Sequence, residues 1–179
     1  MKKSILSIVA CLLVGSMAMA QSWVSFTKTT PEAPIVDLTA SDNQSVSFTV
    51  EVCGMYKQDI TEGPETFQRV SIPSSGLLKI QGEPELPVIR QLIAIPECSD
   101  VILSVNITGQ TAFSNYNIYP VPASQEVQNP DGTVYLEEVF TKDAAAYAQN
   151  IYLPWMNAEI VSTGYLRDQK YAEVFIYPV

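Results

Sequence analysis

Two segments of the chain alternate between hydrophobic and polar residues, which is the period-two pattern of a strand with one buried face. The first runs from Ser45 to Val52, where every even-numbered residue is hydrophobic. The second runs from Val101 to Thr108, where every odd-numbered residue is hydrophobic. Both segments are therefore predicted to be β-strands.

Other short segments are rich in Val, Ile, Tyr and Phe and are bounded by Gly, Pro, Asn or Asp, which also favours strands. They are Phe67–Ile72, Val88–Ile95, Ala112–Tyr119, Thr133–Phe140, Ala158–Leu166 and Tyr171–Tyr177. Only Asp143–Asn150, with its run of three alanines, favours a helix, and we expect one or two turns there.

Many short strands separated by turn signals, without alternating helices, predict an all-β fold: a single antiparallel β-sandwich or jelly-roll-like domain. We place this domain, with its short helix, at residues 43–179 and expect residues 21–42, rich in Thr, Ser and Pro, to form a loosely attached arm. The last residues follow a predicted strand directly, so we expect a fragment of a longer precursor, truncated at the carboxyl-terminal end of its domain.

The first twenty residues have the organisation of a cleavable signal peptide. Lys2 and Lys3 precede an apolar stretch, and Ala18-Met19-Ala20 forms a small-residue cleavage site. The alternative is a lipoprotein leader lipidated at Cys11, but few apolar residues would precede that cysteine. We expect export through the periplasm to the cell surface or medium, with no stable membrane span, since a span needs roughly twenty apolar residues.

The charge balance makes nucleic acid an improbable partner. Loss of Lys2 and Lys3 with the leader leaves eight of ten basic residues against nineteen acidic ones, so the net charge falls from −9 to −11. Binding to phosphates depends mainly on Lys and Arg, and so strongly acidic a chain is repelled by them.

Cys53 and Cys98 would remain after loss of the leader. An extracellular location permits a disulfide between them, which would stabilise the fold by up to ~4 kcal/mol. Two buried free thiols are the alternative, and only geometry can decide between them.

The chain contains no histidine, which removes the usual general base of Ser-His and Cys-His nucleophile pairs. Too few nitrogen and sulfur ligands remain for a common zinc site, and no phosphate-binding glycine motif is present, so we predict no cofactor and no metal. We therefore predict that this chain is not itself an enzyme.

Carboxylates are the remaining candidates for catalysis. The local pairs are Glu62 and Glu65, Glu83 and Glu85, and Glu137 and Glu138. Adjacent strand residues point to opposite faces, so the last pair would not converge. We interpret Glu83 and Glu85, in a proline-rich connector, as solvated rim charges.

The stretch Phe67–Pro73, followed by Gly82–Ile89 with its Gly-x-Pro-x-Leu-Pro motif, resembles the amino-terminal propeptide of gingipain-type cysteine peptidases of the Bacteroidetes. Tyr165–Lys170 and the following strand resemble the later part of the same propeptide. The resemblance implies a prodomain that assists folding, covers the active site of the cognate peptidase in the same precursor and keeps the zymogen latent until cleavage. It also implies contact with the type IX secretion machinery.

In the gingipains, a basic residue on a surface loop of the propeptide occupies the specificity pocket. The corresponding loop here is Pro120–Gly132, which has no basic residue. The candidate inhibitory residues in this loop are Ser124, Gln125, Glu126 and Val127. Either the partner peptidase has another specificity, or the loop is only a connector.

Arg167 and Lys170 are candidate processing residues, and solvated positions at a hairpin turn are the simpler interpretation. The alternative function is a non-catalytic extracellular β-sandwich binding module, with Tyr152 and Trp155 as exposed contact residues.

Overall fold

The computed structural model describes residues 21–97, 100–149 and 156–178. The strands in these ranges are β1 (Ser22–Ser25), β2 (Ile35–Ser41), β3 (Val46–Glu51), β4 (Gly54–Glu62), β5 (Glu65–Ser71), β6 (Gly76–Leu77), β7 (Pro87–Ala94), β8 (Ala123–Gln128), β9 (Val134–Val139), β10 (Ala158–Leu166) and β11 (Gln169–Ile176). One short helix, α1 (Ala144–Ala148), accompanies them. The named strands pair antiparallel throughout, which confirms the all-β prediction.

The first principal sheet has the order β1-β4-β5. Strands β4 and β5 form a hairpin from Tyr56 opposite Ser71 to Glu62 opposite Glu65. Met55, Val70 and Ile72 are buried together, and Phe26, Tyr116 and other partly buried side chains pack against them. Burial of this apolar cluster holds the sheet to the segment that carries Tyr116.

The second principal sheet has the order β10-β11-β7-β6. Strands β10 and β11 form a hairpin around the turn at Arg167 and Asp168, and β11 then pairs with β7. Val88 and Ile89 of β7 and Ala172 and Val174 of β11 are buried. The predicted strands Val88–Ile95, Ala158–Leu166 and Tyr171–Tyr177 are all present, within a residue or two at each end.

Two further pairs of strands, β2–β3 and β8–β9, form separate two-stranded sheets. Each ends in a turn held by an aspartate. Asp42 accepts hydrogen bonds from the backbone N–H groups of Gln44 and Ser45, at 2.7 Å each. Asp131 accepts bonds from the backbone N–H and the hydroxyl of Thr133, at 3.0 and 2.7 Å. These side chains replace the backbone hydrogen bonds that a tight turn leaves unmade.

The predicted helix is present as α1, little more than one turn long. Asp143 is its N-cap and accepts hydrogen bonds from Ala145 N and Ala146 N. A capping aspartate followed by alanines is a strong local helix signal, which explains why this element was predictable.

Two predicted strands are wrong. Residues 100–113 form no strand, and Ala112–Tyr119 contributes only an isolated bridge at Ile118. Ile102 is 93% exposed. Alternation of hydrophobic and polar residues specifies the faces of a strand, but a strand forms only where a neighbour can pair with its backbone.

The expectation of a loosely attached arm at residues 21–42 is also wrong. Strand β1 pairs with β4, and β2 pairs with β3. The Trp23 ring packs edge-on against Tyr56, with centroids 5.2 Å apart. An aromatic pair with the backbone ladder behind it is enough to order the segment despite its Thr, Ser and Pro content.

In the part of the chain that the structure describes, no helix is long and apolar enough to cross a membrane. The predicted signal peptide at residues 1–20 lies outside the described residues.

Candidate interaction site

The Gly-x-Pro-x-Leu-Pro segment, Gly82–Pro87, is held to residues 119–121 by backbone hydrogen bonds. Val121 N donates to Glu83 O and Glu85 N donates to Tyr119 O, both at 2.9 Å. On the far side of the Tyr119 segment, Tyr119 N donates to Gln68 O of β5 at 2.9 Å. The motif is thereby joined to the first principal sheet through residues 117–121.

Gly82 has a structural reason to be glycine. Its φ is +82°, a left-handed conformation that disfavours any side chain. A Cβ there would also lie 3.2 Å from the N and Cβ atoms of Asp143. Gly82 O accepts a hydrogen bond from Asp143 N at 2.9 Å, so the motif positions the start of α1 as well.

Glu85 is the only buried charged residue in the described ranges, with 6% of its surface exposed. The interpretation of this residue as a solvated rim charge is therefore wrong. Its Oε2 lies 2.9 Å from Nε of Arg69, and the Arg69 guanidinium lies over the Tyr119 ring at 4.4 Å. Motif prolines force an extended path that turns Glu85 inward.

Burial raises the pKa of Glu85, and the neighbouring Arg69 charge offsets part of that effect. Its Oε2 and the Arg69 Nε lack an aligned hydrogen-bond partner among the described residues. The Arg69 side chain is 32% exposed, so the pair is only partly removed from water, and its attraction competes with the cost of burying Glu85. We call Arg69, Glu85 and Tyr119 the motif core.

Aromatic rings connect the motif core to the β8–β9 hairpin. Phe67, Tyr119 and Phe140 lie within 6.0 Å of one another, measured between ring centroids. Phe140 directly follows β9, and Val121, 7% exposed, lies two residues before β8. Lys142 extends over the Phe67 ring at 5.1 Å and pairs with Glu65 at 2.7 Å. Both ends of the hairpin are thus anchored in packed structure.

The hairpin itself is exposed along its length. Leu136 is 68% exposed and Val134 is 60% exposed. The residues Ser124, Gln125, Glu126 and Val127 lie on strand β8, so the segment expected to be a loop is instead paired with β9. No basic residue occurs between positions 120 and 139, whereas four acidic residues do: Glu126, Asp131, Glu137 and Glu138.

Arg167 and Lys170 differ in position. Arg167 lies in the β10–β11 turn with φ +56°, and it is exposed. Lys170 belongs to β11, and its Nζ donates to Glu97 O at 3.1 Å. The turn interpretation thus holds for Arg167 and not for Lys170, and the processing role of both stays a prediction.

Cys53 is buried, and its thiol lies 3.6 Å from Ala33 O. Cys98, Tyr152 and Trp155 lie outside the described residues, so the disulfide and the aromatic contact site stay predictions. Within the described ranges, no cluster of three acidic, Cys or His side chains could hold a metal ion.

Sequence reasoning missed Arg69 as the partner of Glu85, although Arg69 lies in the Phe67–Pro73 stretch that carries the resemblance. It also missed Arg90, which lies over the Phe175 ring at 4.8 Å. No local pattern marks either residue, because their partners come from distant strands.

Comparison with known proteins identifies the family. The family model Propeptide_C25 matches residues 27–179. Lys-gingipain and Lys-gingipain W83 of Porphyromonas gingivalis are each 26% identical to this chain over 187 residues, covering 99% of it. The chain spans about a tenth of the length of these relatives, since the match covers 10% of each.

A solved chain from a study of the zymogenic latency of gingipain K from Porphyromonas gingivalis has a similar fold. The TM-score is 0.66 at 20% identity, with 89% of this chain and 86% of that chain covered. At this identity the likeness supports the fold alone. From the family match over most of its length, the chain belongs to the Propeptide_C25 family, the amino-terminal propeptides of gingipain-type cysteine peptidases, and is not a catalytic domain.

Proposed function

We propose that this propeptide keeps a covalently linked gingipain-type cysteine peptidase latent until proteolysis separates the two. The observation that carries the proposal is the β8–β9 hairpin, most of whose residues are exposed and whose ends adjoin the buried Val121 and the half-buried Phe140. A rigid, protruding hairpin can enter a cleft without first paying the entropy of ordering a loop.

Covalent linkage strengthens such an inhibitor. A tethered domain has a high effective concentration near its partner, so a modest interface keeps the cleft occupied until the link is cut. After cleavage the propeptide can dissociate and is diluted away from the peptidase. Proteolysis alone is therefore sufficient to end latency.

The charge of the hairpin restricts the kind of cleft that it can occupy. With four acidic residues and no basic residue, it would be repelled by a specificity pocket built around a carboxylate. We infer that the partner peptidase presents a neutral or basic cleft to the hairpin. Ser124, Gln125, Glu126 and Val127 stay the candidate inhibitory residues.

Assistance with folding, and export through the periplasm by a signal peptide and the type IX machinery, belong to the same proposal. They are supported by the leader pattern at residues 1–20 and by the family relationship. Secretion or display at the cell surface follows from this route.

The test adds the purified chain without its leader to the mature peptidase, obtained by activating the full precursor. We expect loss of peptidase activity at micromolar propeptide. The double variant Gln125→Ala with Glu126→Ala should raise the inhibition constant about tenfold, equivalent to roughly 1.4 kcal/mol of binding free energy.

The β2–β3 hairpin offers a matched control. The double variant Thr49→Ala with Glu51→Ala also removes one uncharged polar and one acidic side chain from exposed strand positions, and it should inhibit like the wild type. Full peptidase activity in the presence of micromolar wild-type chain would contradict the proposed function. Equal inhibition constants for the two double variants would contradict the role of β8 alone.

A further inference from the structure

An open groove of about 680 Å³ lies at the outer edge of the second principal sheet. Its walls are formed by residues 74–79, which include β6, and by Val88, Arg90 and Phe175. The groove belongs to a different sheet from the motif core and includes no residue of the β8–β9 hairpin. The groove nevertheless borders the Gly-x-Pro-x-Leu-Pro segment, because Leu78 N donates to Leu86 O at 2.8 Å and the Lys79 charge acts on the Glu85 carboxyl.

The groove carries positive charge on a strongly acidic protein. Arg90 and Lys79 are both exposed, and neither forms an ion pair with any residue that the structure describes. The net charge of the chain is −9, whereas both charged side chains that line the groove are cations. The groove is thus complementary to carboxylates rather than to the protein's own surface.

The position of Arg90 favours contact with a carboxylate. Its guanidinium lies over the Phe175 ring, 4.8 Å from the centroid, and the two residues are direct neighbours across β7 and β11. The ring restricts where the guanidinium can lie, and a guanidinium can bind a carboxylate through two parallel N–H groups.

The backbone of strand β6 forms part of the groove wall. It is the outermost strand of its sheet, and it pairs with β7 only at Gly76 and Leu77. Gly76 lies beside Arg90, since a Cβ added to it would be 3.8 Å from Arg90 Nε, an ordinary contact distance. An outer strand has backbone N–H and C=O groups available to a further strand.

We propose that this groove binds an extended acidic segment of the linked peptidase, which adds as a strand to β6 while its carboxylates contact Arg90 and Lys79. Strand addition supplies main-chain hydrogen bonds, and the two cations select for acidic side chains. The inference rests on the proposed function, and it gives the propeptide a second contact with the peptidase beyond the hairpin.

The linked peptidase is a better occupant than a second copy of this chain. Two copies would each bring a net charge of −9 and repel each other at long range. A tethered partner meets the groove at high effective concentration, so even a short acidic segment would remain bound.

The test compares three single charge reversals, Arg90→Glu, Lys79→Glu and Lys28→Glu, which change the net charge equally. Lys28 is exposed and does not line the groove, so it serves as the control. Binding to the mature peptidase is measured by calorimetry at low and high salt, and a melting curve checks that each variant folds. We expect about tenfold weaker binding for Arg90→Glu, a smaller loss for Lys79→Glu and no change for Lys28→Glu.

A second measurement needs no variant. Hydrogen exchange of the wild-type chain should slow at residues 76–79 when the mature peptidase is added. Normal binding by Arg90→Glu, or unchanged exchange at these amides, would overturn the groove inference while leaving the proposed function intact. Failure of the wild type to bind the peptidase at all would overturn both.

Discussion

Gly54 and Gly164 lie where the neighbouring residues leave no room for a Cβ atom. Gly54 is buried at the start of β4, opposite Ser25 of β1. A Cβ there would collide with the Trp23 ring and with the carbonyl oxygen of Val24. The ring cannot easily withdraw, because Trp23 Nε1 donates to Lys28 O at 3.0 Å.

Gly54→Ala should lower the free energy of unfolding by about 1–3 kcal/mol, since the added methyl group must displace backbone and a hydrogen-bonded ring. Gly164→Ala is the control, because its Cβ would meet the Tyr171 hydroxyl at 2.8 Å, the movable end of a side chain. Urea denaturation of both variants measures the difference. Equal losses of unfolding free energy in the two variants would show that Gly54 is not packed tightly against β1.

At the scale of elements, the β2–β3 and β8–β9 hairpins have similar turns but differ in the residues that fix the ends of their strands. The β8–β9 hairpin is bounded by Val121 and by Phe140 of the aromatic cluster. The β2–β3 hairpin ends at Glu51, two residues before the buried Cys53, whose carbonyl accepts the N–H groups of Phe26 and Thr27. Each tip depends on one aspartate, so each can be loosened without disturbing the sheets.

Asp131→Ala should speed hydrogen exchange at Thr133 and weaken inhibition, with little change in melting temperature. Hydrogen bonds from Thr133 lower the pKa of Asp131 below its usual 3.8. A lowered folded-state pKa means that the aspartate holds the tip above pH 3.8 and that this contribution is lost as the pH falls through the lowered pKa.

Asp42→Ala, which loosens the other tip, is the control and should leave inhibition unchanged. The measurements are amide exchange followed by NMR and inhibition of the mature peptidase. Weaker inhibition by both variants would argue that the tips act through general stability rather than through contact.

At the scale of the whole molecule, the motif core connects parts that are far apart in sequence. Glu85 comes from the motif, Arg69 from β5 and Tyr119 from the segment between β7 and β8. Burial raises the pKa of Glu85, so protonation of this carboxyl favours the folded state. Its stabilising contribution is complete below the unfolded value of 4.5 and is lost as the pH rises through the raised value.

Glu85→Gln removes this titration, so the wild type should lose stability relative to the variant as the pH rises from below 4.5 toward neutrality. Urea denaturation across this range measures the difference. Glu83→Gln, which removes a half-exposed carboxylate from the same segment, is the control for the loss of one acidic side chain. A constant difference between the wild type and Glu85→Gln would contradict the assignment.

Local patterns predicted much of this fold, because they record interactions between residues close in sequence. Alternation along Ser45–Val52 marked β3, the run of three alanines marked α1, and the Gly-x-Pro-x-Leu-Pro segment marked the family. The absence of histidine argued against catalysis by a nucleophile–histidine pair. Each of these inferences needs only the neighbouring residues or the composition, so the sequence by itself was sufficient.

Only the tertiary structure decided which of the predicted segments pair with another strand and which side chains come into contact. Val101–Thr108 has the alternation of β3 but forms no strand, because pairing depends on a neighbour that the pattern does not specify. Glu85 is buried because Arg69 arrives from another strand, and Ser124–Val127 are paired because β9 returns beside them. Arg90 and Lys79 line one groove because β6 pairs with β7, and the sequence pattern does not specify that pairing.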